Sequence, residues 1–272
     1  MEKKIAEALE GAERILIGIG EEFSLQGCKW EGPECLEDLY RSKCCAEVSA
    51  DHEIIRAYRQ LRELIGDRSY FAVTLNTDDL IYQAGFEREC VVAPCGSAAK
   101  LQCEEHIVDG HDLIASVFAQ YEKATELERA KRDLAKSDLE QIAESIREKT
   151  LICPECGKKL DLHTVENDAY LECGYLEQWE AYKKWLATTL NKKLCILELG
   201  VGFRYPQVIR WPFEKTAFYN KKATLVRIHS KFPQIEAELA DKAIGVKASP
   251  IEILLNEMQE MSFSDSKEDS KE

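Results

Sequence analysis

The residues with the most specific chemical spacing are Cys153-Pro154-Glu155-Cys156-Gly157. Two cysteines separated by two residues, with Pro and Gly shaping a tight turn, aim two sulfurs at one tetrahedral ion. A thioredoxin-like redox pair is the competing reading. Such a pair follows a strand and opens a helix, whereas Lys158-Lys159-Leu160 comes next here. A zinc site needs four ligands, so two must come from elsewhere. Cys103 and His106, again with two residues between them, are the natural second half; His111 and Cys173 stand in reserve.

Four further stretches could bind or react. Gly18-Ile19-Gly20-Glu21-Glu22-Phe23-Ser24 follows an apolar run, where glycines let backbone N–H groups approach a phosphate. Glu21 and Glu22 oppose that use, because carboxylates repel a diphosphate, and a plain tight turn explains the glycines equally well. Thr74-Leu75-Asn76-Thr77-Asp78-Asp79 follows a second run. Asn76 and Asp78 suit a ribose or an amide, while Thr77 or Asn76 suits a helix cap. Ala93-Pro94-Cys95-Gly96 offers an exposed nucleophile or a small buried thiol. Gly200-Val201-Gly202-Phe203-Arg204 is a second glycine turn, which would suit a dinucleotide lying across a sheet.

The elements that must position these residues are legible as apolar runs. Arg14–Gly20, Tyr70–Thr74, Cys90–Ala93, Leu194–Leu199 and Ala223–Ile228 are β-rich and unbroken, as parallel strands covered on both faces are. Helical periodicity separates them, for example Ile54, Tyr58, Leu61 and Ile65. Strands alternating with helices predict an α/β fold, a Rossmann-like doubly wound parallel sheet. Residues 103–160 break the rhythm with Cys and His at the start, two charged helices and Cys-x-x-Cys at the end. They read as an inserted zinc-binding and helical module, with a capping box expected at Ser137-Asp138-Leu139-Glu140. The sheet domain then comprises 1–102 and 161–261, and 262–272 reads as a disordered tail.

A chain of 272 residues with 45% apolar and 32% charged residues can bury a sizeable core. No apolar run reaches the roughly 18 residues of a membrane helix, and the N-terminus reads as an amphipathic helix start with Ile5, Leu9 and Ala12 on one face. A net charge of −14 argues against nucleic acid as a partner. Eleven cysteines at irregular spacing without an export signal read as reduced thiols plus one metal site. A cytoplasmic protein with no membrane partner is expected.

Taken in order, these pieces resemble the sirtuin family over roughly residues 10–258. The stretches are Gly18–Ser24, Thr74–Asp78, Cys95-Gly96, Cys103/His106 with Cys153/Cys156, and Gly200–Pro206. The likeness is closest to the class-M, macrodomain-associated branch, in which the usual deacetylase histidine is also replaced. The resemblance implies NAD and zinc as cofactors and protein ADP-ribosyltransferase activity rather than deacylation. It implies Asn76 and Asp78 at the nicotinamide ribose, Gly18, Gly20 and Ser24 at the phosphates, and Gly200 with Gly202 on the far side. Cys95 takes the histidine's place as a bystander or acceptor-side residue, and His229 replaces an asparagine that meets the adenosine ribose. NAD or ADP-ribose and an unidentified protein would be the partners. The alternative is a catalytically silent scaffold that binds a nucleotide or a protein. Against the family pattern stand Glu21 and Glu22, Leu75 in place of glutamine, and a Gly27–Glu34 loop without Pro-Asp-Phe-Arg. Each lost polar contact is worth roughly 1 kcal/mol, so together they imply weakened NAD binding.

Overall fold

The structure, a computed structural model, describes residues 7–256. Ile5 of the expected helix start and the 262–272 tail lie outside the described residues. The strands are β1 (Arg14–Ile19), β2 (Ser69–Thr74), β3 (Val91–Val92), β4 (Gly96–Gln102), β5 (Ile107–Asp109), β6 (Asp161–Thr164), β7 (Leu194–Leu199), β8 (Ala223–Ile228) and β9 (Ala243–Val246). The helices are α1 (Glu37–Ala46), α2 (Glu53–Ile65), α3 (Leu80–Gln83), α4 (His111–Arg129), α5 (Lys136–Thr150), α6 (Cys173–Ala187) and α7 (Arg210–Tyr219).

Six strands form one parallel sheet in the order β3-β2-β1-β7-β8-β9. The chain winds outward in opposite directions from β1 and β7, so the carboxyl ends of these two strands flank the switch point of the sheet. Side chains alternate across the sheet as a two-residue period demands. Ile15, Ile17 and Ile19 join one core with α2, Leu9 and Ala12, while Leu16 joins a second core with Tyr182, Ile209 and Phe213. The Trp179, Trp185 and Tyr175 rings of α6 pack against that second core. A third core lies under the small three-stranded antiparallel sheet β5-β4-β6, where Leu36 and Leu39 meet Phe118, Tyr121 and Ala143.

Local chemistry moves some expected boundaries. α5 begins at Lys136, because Asp138 Oδ2 accepts the Ala135 N–H at 2.9 Å; Asp138 is the third helical residue, and Ser137 is not the cap. His52, expected on a helix surface, caps α2 by accepting the Ile54 N–H at 3.3 Å.

One polar pair is buried in the sheet itself. Glu198 on β7 and Arg227 on β8 are register partners with almost no exposure. Arg227 donates to both Glu198 oxygens at 2.6 and 3.1 Å, to Glu214 at 2.8 Å and to the Gln234 carbonyl at 2.7 Å. Arg227→Met would leave the Glu198 charge buried without its partner, and its expected cost is about 3–5 kcal/mol. Urea unfolding of the variant against wild type measures it.

Candidate functional site

Two loops bring the candidate metal ligands together. Ile152 bridges Lys159, Cys153 N–H donates to Lys158 O at 2.7 Å, and Gly157 N–H donates to Cys153 O at 2.9 Å. This knuckle closes because Gly157 takes φ +72°, a conformation that L side chains resist. Opposite it, Cys103 N–H donates to His106 O at 3.0 Å. The donor atoms of Cys103, His106, Cys153 and Cys156 all lie within 4.8 Å of one another. Cys103 Sγ stands 3.6 Å from both His106 Nδ1 and Cys156 Sγ, and Cys153 Sγ is 3.9 Å from His106 Nδ1. Tetrahedral zinc with bonds of about 2.3 Å to sulfur and about 2.0 Å to nitrogen sets neighbouring ligand atoms about 3.5–3.8 Å apart, so the cluster has the size of a zinc shell. His106 Nε2 faces Glu155 at 3.8 Å, which leaves Nδ1 for the ion. Burial alone would raise the Cys103 thiol. The Glu105 and His106 N–H groups and the imidazole outweigh it and lower the thiol to about 6, in favour of the thiolate a metal needs. The reserve candidates His111 and Cys173 are outside this cluster.

A cavity of about 580 Å³ lies between the carboxyl edge of the sheet and the small module. Asn76, Asp78, Cys95 and Ser24 line it together, with Cys28 and Arg41 on the module side. Asn76 is held from below: its Nδ2 donates to Phe23 O at 2.5 Å and its N–H to Thr74 Oγ1 at 3.0 Å. Tyr58 hydroxyl donates to the same Phe23 carbonyl at 3.3 Å. The Asp78 carboxylate uses one oxygen at the start of a short helix. Leu80 N–H donates to its Oδ1 at 3.2 Å, while its Oδ2 is out of contact with solvent and has no partner. Although the residue as a whole is partly exposed, its carboxylate is buried. That burial raises its pKa to about 6, against the Leu80 and Leu25 N–H groups, which pull it down. Neither Thr77 nor Asn76 caps the helix: Asp79 holds the N-cap position without a side-chain cap bond, and Asp78 only accepts the first helical N–H. Asp79 beside it takes φ +56°, a conformation that short polar side chains tolerate.

Cys95 is buried at the cavity wall, and burial pushes its thiol up to about 11. It is protonated at neutral pH, which makes it neither a base nor an activated nucleophile.

The remaining expected residues sit elsewhere. Gly18, Gly20, Gly200, Gly202 and His229 are not part of the cavity wall. A Cβ at Gly18 would strike Phe213 at 2.8 Å, one at Gly20 would collide with Gly200 O, and one at Gly200 would lie 2.6 Å from the Glu22 Cβ. These three glycines are accounted for by the close approach of the two turns to each other and to α7. His229 is buried with Nδ1 2.9 Å from Glu22 Oε2, and burial lowers its pKa while Glu22 raises it.

Spacing along the chain does not disclose one feature of the cavity. Arg204, from the turn after β7, pairs with Glu166, from the loop after β6, and both line the cavity mouth. The partners are 38 residues apart and meet only when the small module docks on the sheet.

No protein-family model matches the chain. It is 30% identical over 151 residues to a probable bifunctional ADP-ribose hydrolase/ADP-ribosyltransferase of Fusarium oxysporum f. sp. cubense, over 53% of this chain and 23% of that protein. It is 24% identical over 200 residues to a protein ADP-ribosyltransferase of Staphylococcus aureus, over 71% of this chain and 58% of that protein. The chain thus spans less than two thirds of the length of either relative. Among solved structures, a Sir2 enzyme superposes with TM-score 0.56 at 15% identity, covering 97% of this chain and 98% of the other. A Sir2 protein with a p53 peptide and NAD+ superposes with TM-score 0.52 at 12% identity, covering 97% and 99%. The fold is that of the sirtuins: a parallel Rossmann-like sheet with a small module bearing a cysteine–histidine cluster.

Proposed function

We propose that the protein is a sirtuin-type, NAD-dependent transferase that moves ADP-ribose to a protein, with one structural zinc ion in its small module. The observation that carries this reading is the cavity at the carboxyl edge of the sheet, which Asn76 and Asp78 line together, with the Asp78 carboxylate buried just behind its wall. The cavity volume is that of a small-molecule site, and the Asp78 carboxylate would accept the amide N–H of a nicotinamide once the wall in front of its Oδ2 shifts. The two curated relatives carry ADP-ribosyl transfer in their names, and a Sir2 neighbour was solved with NAD+.

When bound, NAD supplies an ADP-ribosyl group on a cleavable bond to nicotinamide. Asp78 would orient the nicotinamide amide, and Asn76, fixed by Phe23 O and Thr74, would face its ribose. The small module and the Arg204–Glu166 pair would narrow access of water to the cavity. Cys95 would contribute a protonated, uncharged wall beside the ribose, which leaves deacylation without a base at that position. Cys103, His106, Cys153 and Cys156 would hold zinc as a closed, all-protein shell that ties two loops together. None of the eleven cysteines is in a disulfide, which suits the proposed cytoplasmic location. No helix among the described residues is long and apolar enough to cross a membrane.

Incubation with NAD and a protein extract tests the reading, with nicotinamide release and ADP-ribose on protein as readouts. Release of nicotinamide with modified protein is expected, and absence of both would sink the reading. Cys95→Ala is expected to change nicotinamide release by less than about tenfold, against the roughly 10²–10⁴-fold that a general base contributes. A larger loss would return Cys95 to the chemistry.

A further inference from the structure

We propose that Glu21 and Glu22 are the chain's own occupants of the diphosphate subsite, and that they set the ligand preference of the site against diphosphates. The inference rests on reading the sheet's switch point as the nucleotide crevice. In a doubly wound sheet a diphosphate takes the backbone N–H groups of the turn after the first strand, at the crevice where the strand order reverses. Three of those donors are already used here. Gly20 N–H donates to Leu199 O at 2.9 Å, Glu22 N–H to Gly200 O at 3.2 Å and Phe23 N–H to Gly20 O at 2.9 Å.

The carboxylates take the donors of the facing strands. Glu22 accepts from Ser230 N–H at 2.8 Å and from the Ser230 hydroxyl, and its Oε2 lies 2.9 Å from His229 Nδ1. Nδ1 also lies 3.0 Å from Lys231 N, so it donates to Glu22 or accepts from Lys231, not both. Glu21 Oε2 accepts from Gly202 N–H at 3.4 Å. Ser230 and Gly202 follow the carboxyl ends of β8 and β7, so two carboxylates from the first turn span the crevice to both. Two oxygens on one Glu22 carboxylate, each with donors, reproduce the chemistry of a bound phosphate group. A diphosphate must displace these contacts and meet both charges at close range. The cavity around Asp78 is the other end of the crevice and carries neither contact, apart from the Glu21 edge. Ligands without a diphosphate, such as nicotinamide riboside, escape the penalty.

The test is calorimetric titration of the full chain with ADP-ribose and with nicotinamide riboside, repeated for the Glu21→Ala/Glu22→Ala double variant and for isosteric Glu22→Gln. ADP-ribose is expected to bind the double variant on the order of a hundredfold more tightly than wild type, and Glu22→Gln about tenfold more tightly. Nicotinamide riboside should bind wild type and Glu22→Gln alike, since Glu22, unlike Glu21, does not line the cavity. If ADP-ribose binds folded Glu22→Gln and the double variant no more tightly than wild type, the proposal is overturned. If the riboside fails to bind wild type while ADP-ribose still gains in the variants, the nicotinamide reading falls and this proposal stands.

Discussion

Asp78→Asn is expected to make the protein more stable and nearly inactive. The carboxyl pKa is raised by burial from 3.8 to about 6 in the folded protein. A raised acid favours folding in its protonated form, so this contribution is complete below about pH 3.8 and is lost as pH rises through about 6. At neutral pH the folded chain therefore carries a buried charge that costs about 2–3 kcal/mol. Asparagine removes the charge, and its Oδ1 still accepts the Leu80 N–H. The gain should be seen in urea unfolding at pH 7 and should vanish at pH 4. The same Leu80 N–H fixes which end of the amide faces inward. The NH2 group then points where the Asp78 Oδ2 stood, and a nicotinamide amide would meet a donor with a donor. Nicotinamide release should fall by about 10–100-fold, the loss of a hydrogen bond to a charged group together with the mismatch. Greater stability with unchanged turnover would place Asp78 outside the chemistry.

Cys153→Ala carries the second large effect. Structural zinc contributes about 10–16 kcal/mol of apparent binding energy in small metal-folded units, whereas the ion pairs that also join the two loops, Lys158 with Glu104 and Glu105, are exposed and contribute little. Leu151, Cys153 and Leu160 sit in the same core as Leu36, Phe118 and Tyr121, so loosening the knuckle loosens that core as well. The wild-type chain is expected to hold one zinc per molecule after purification under reducing conditions. The variant is expected to hold less than a tenth of an equivalent and to expose the module to proteolysis between residues 103 and 160. The Arg14–Ile19 sheet core should stay folded, because its two apolar faces are built without the cluster. Less than half an equivalent of zinc in wild type would refute the metal assignment.

Sequence patterns disclosed the large sheet because its strands are buried on both faces and read as unbroken apolar runs. Five of its six strands, β1, β2, β3, β7 and β8, lie on those runs. β9 leaves no such run: Ala243–Val246 is a short edge strand with only Val246 buried, too weak a pattern to distinguish from a loop. The small sheet was invisible for a different reason. Its longest strand, Gly96–Gln102, is rich in small and polar residues, and its pairing with Asp161–Thr164 exists only after the intervening helices fold. The interval 103–160 therefore covers the metal loops and the helices α4 and α5, while two strands that carry the module lie just beyond either end.

The site was legible in part. The paired spacing of Cys103/His106 and Cys153/Cys156 named the residues that meet, since each pair needs only a local turn. Asn76, Asp78 and Cys95 follow strand ends and so share one edge of the sheet by topology. The glycine turns were harder, because a glycine required by a neighbouring backbone and one required by a phosphate look the same in sequence. The separation of Glu22 from Ser230, 208 residues, leaves no local trace at all.

The cavity around Asn76 and Asp78 is proposed to hold the nicotinamide end of NAD. Calorimetric titration of NAD into wild type, Asp78→Asn and Glu21→Ala/Glu22→Ala addresses it most directly. Weak saturable binding by wild type, tighter binding by the glutamate variant and about tenfold or greater loss in Asp78→Asn are expected. Absence of binding at millimolar NAD in all three folded proteins, or equal binding by all three, would contradict it.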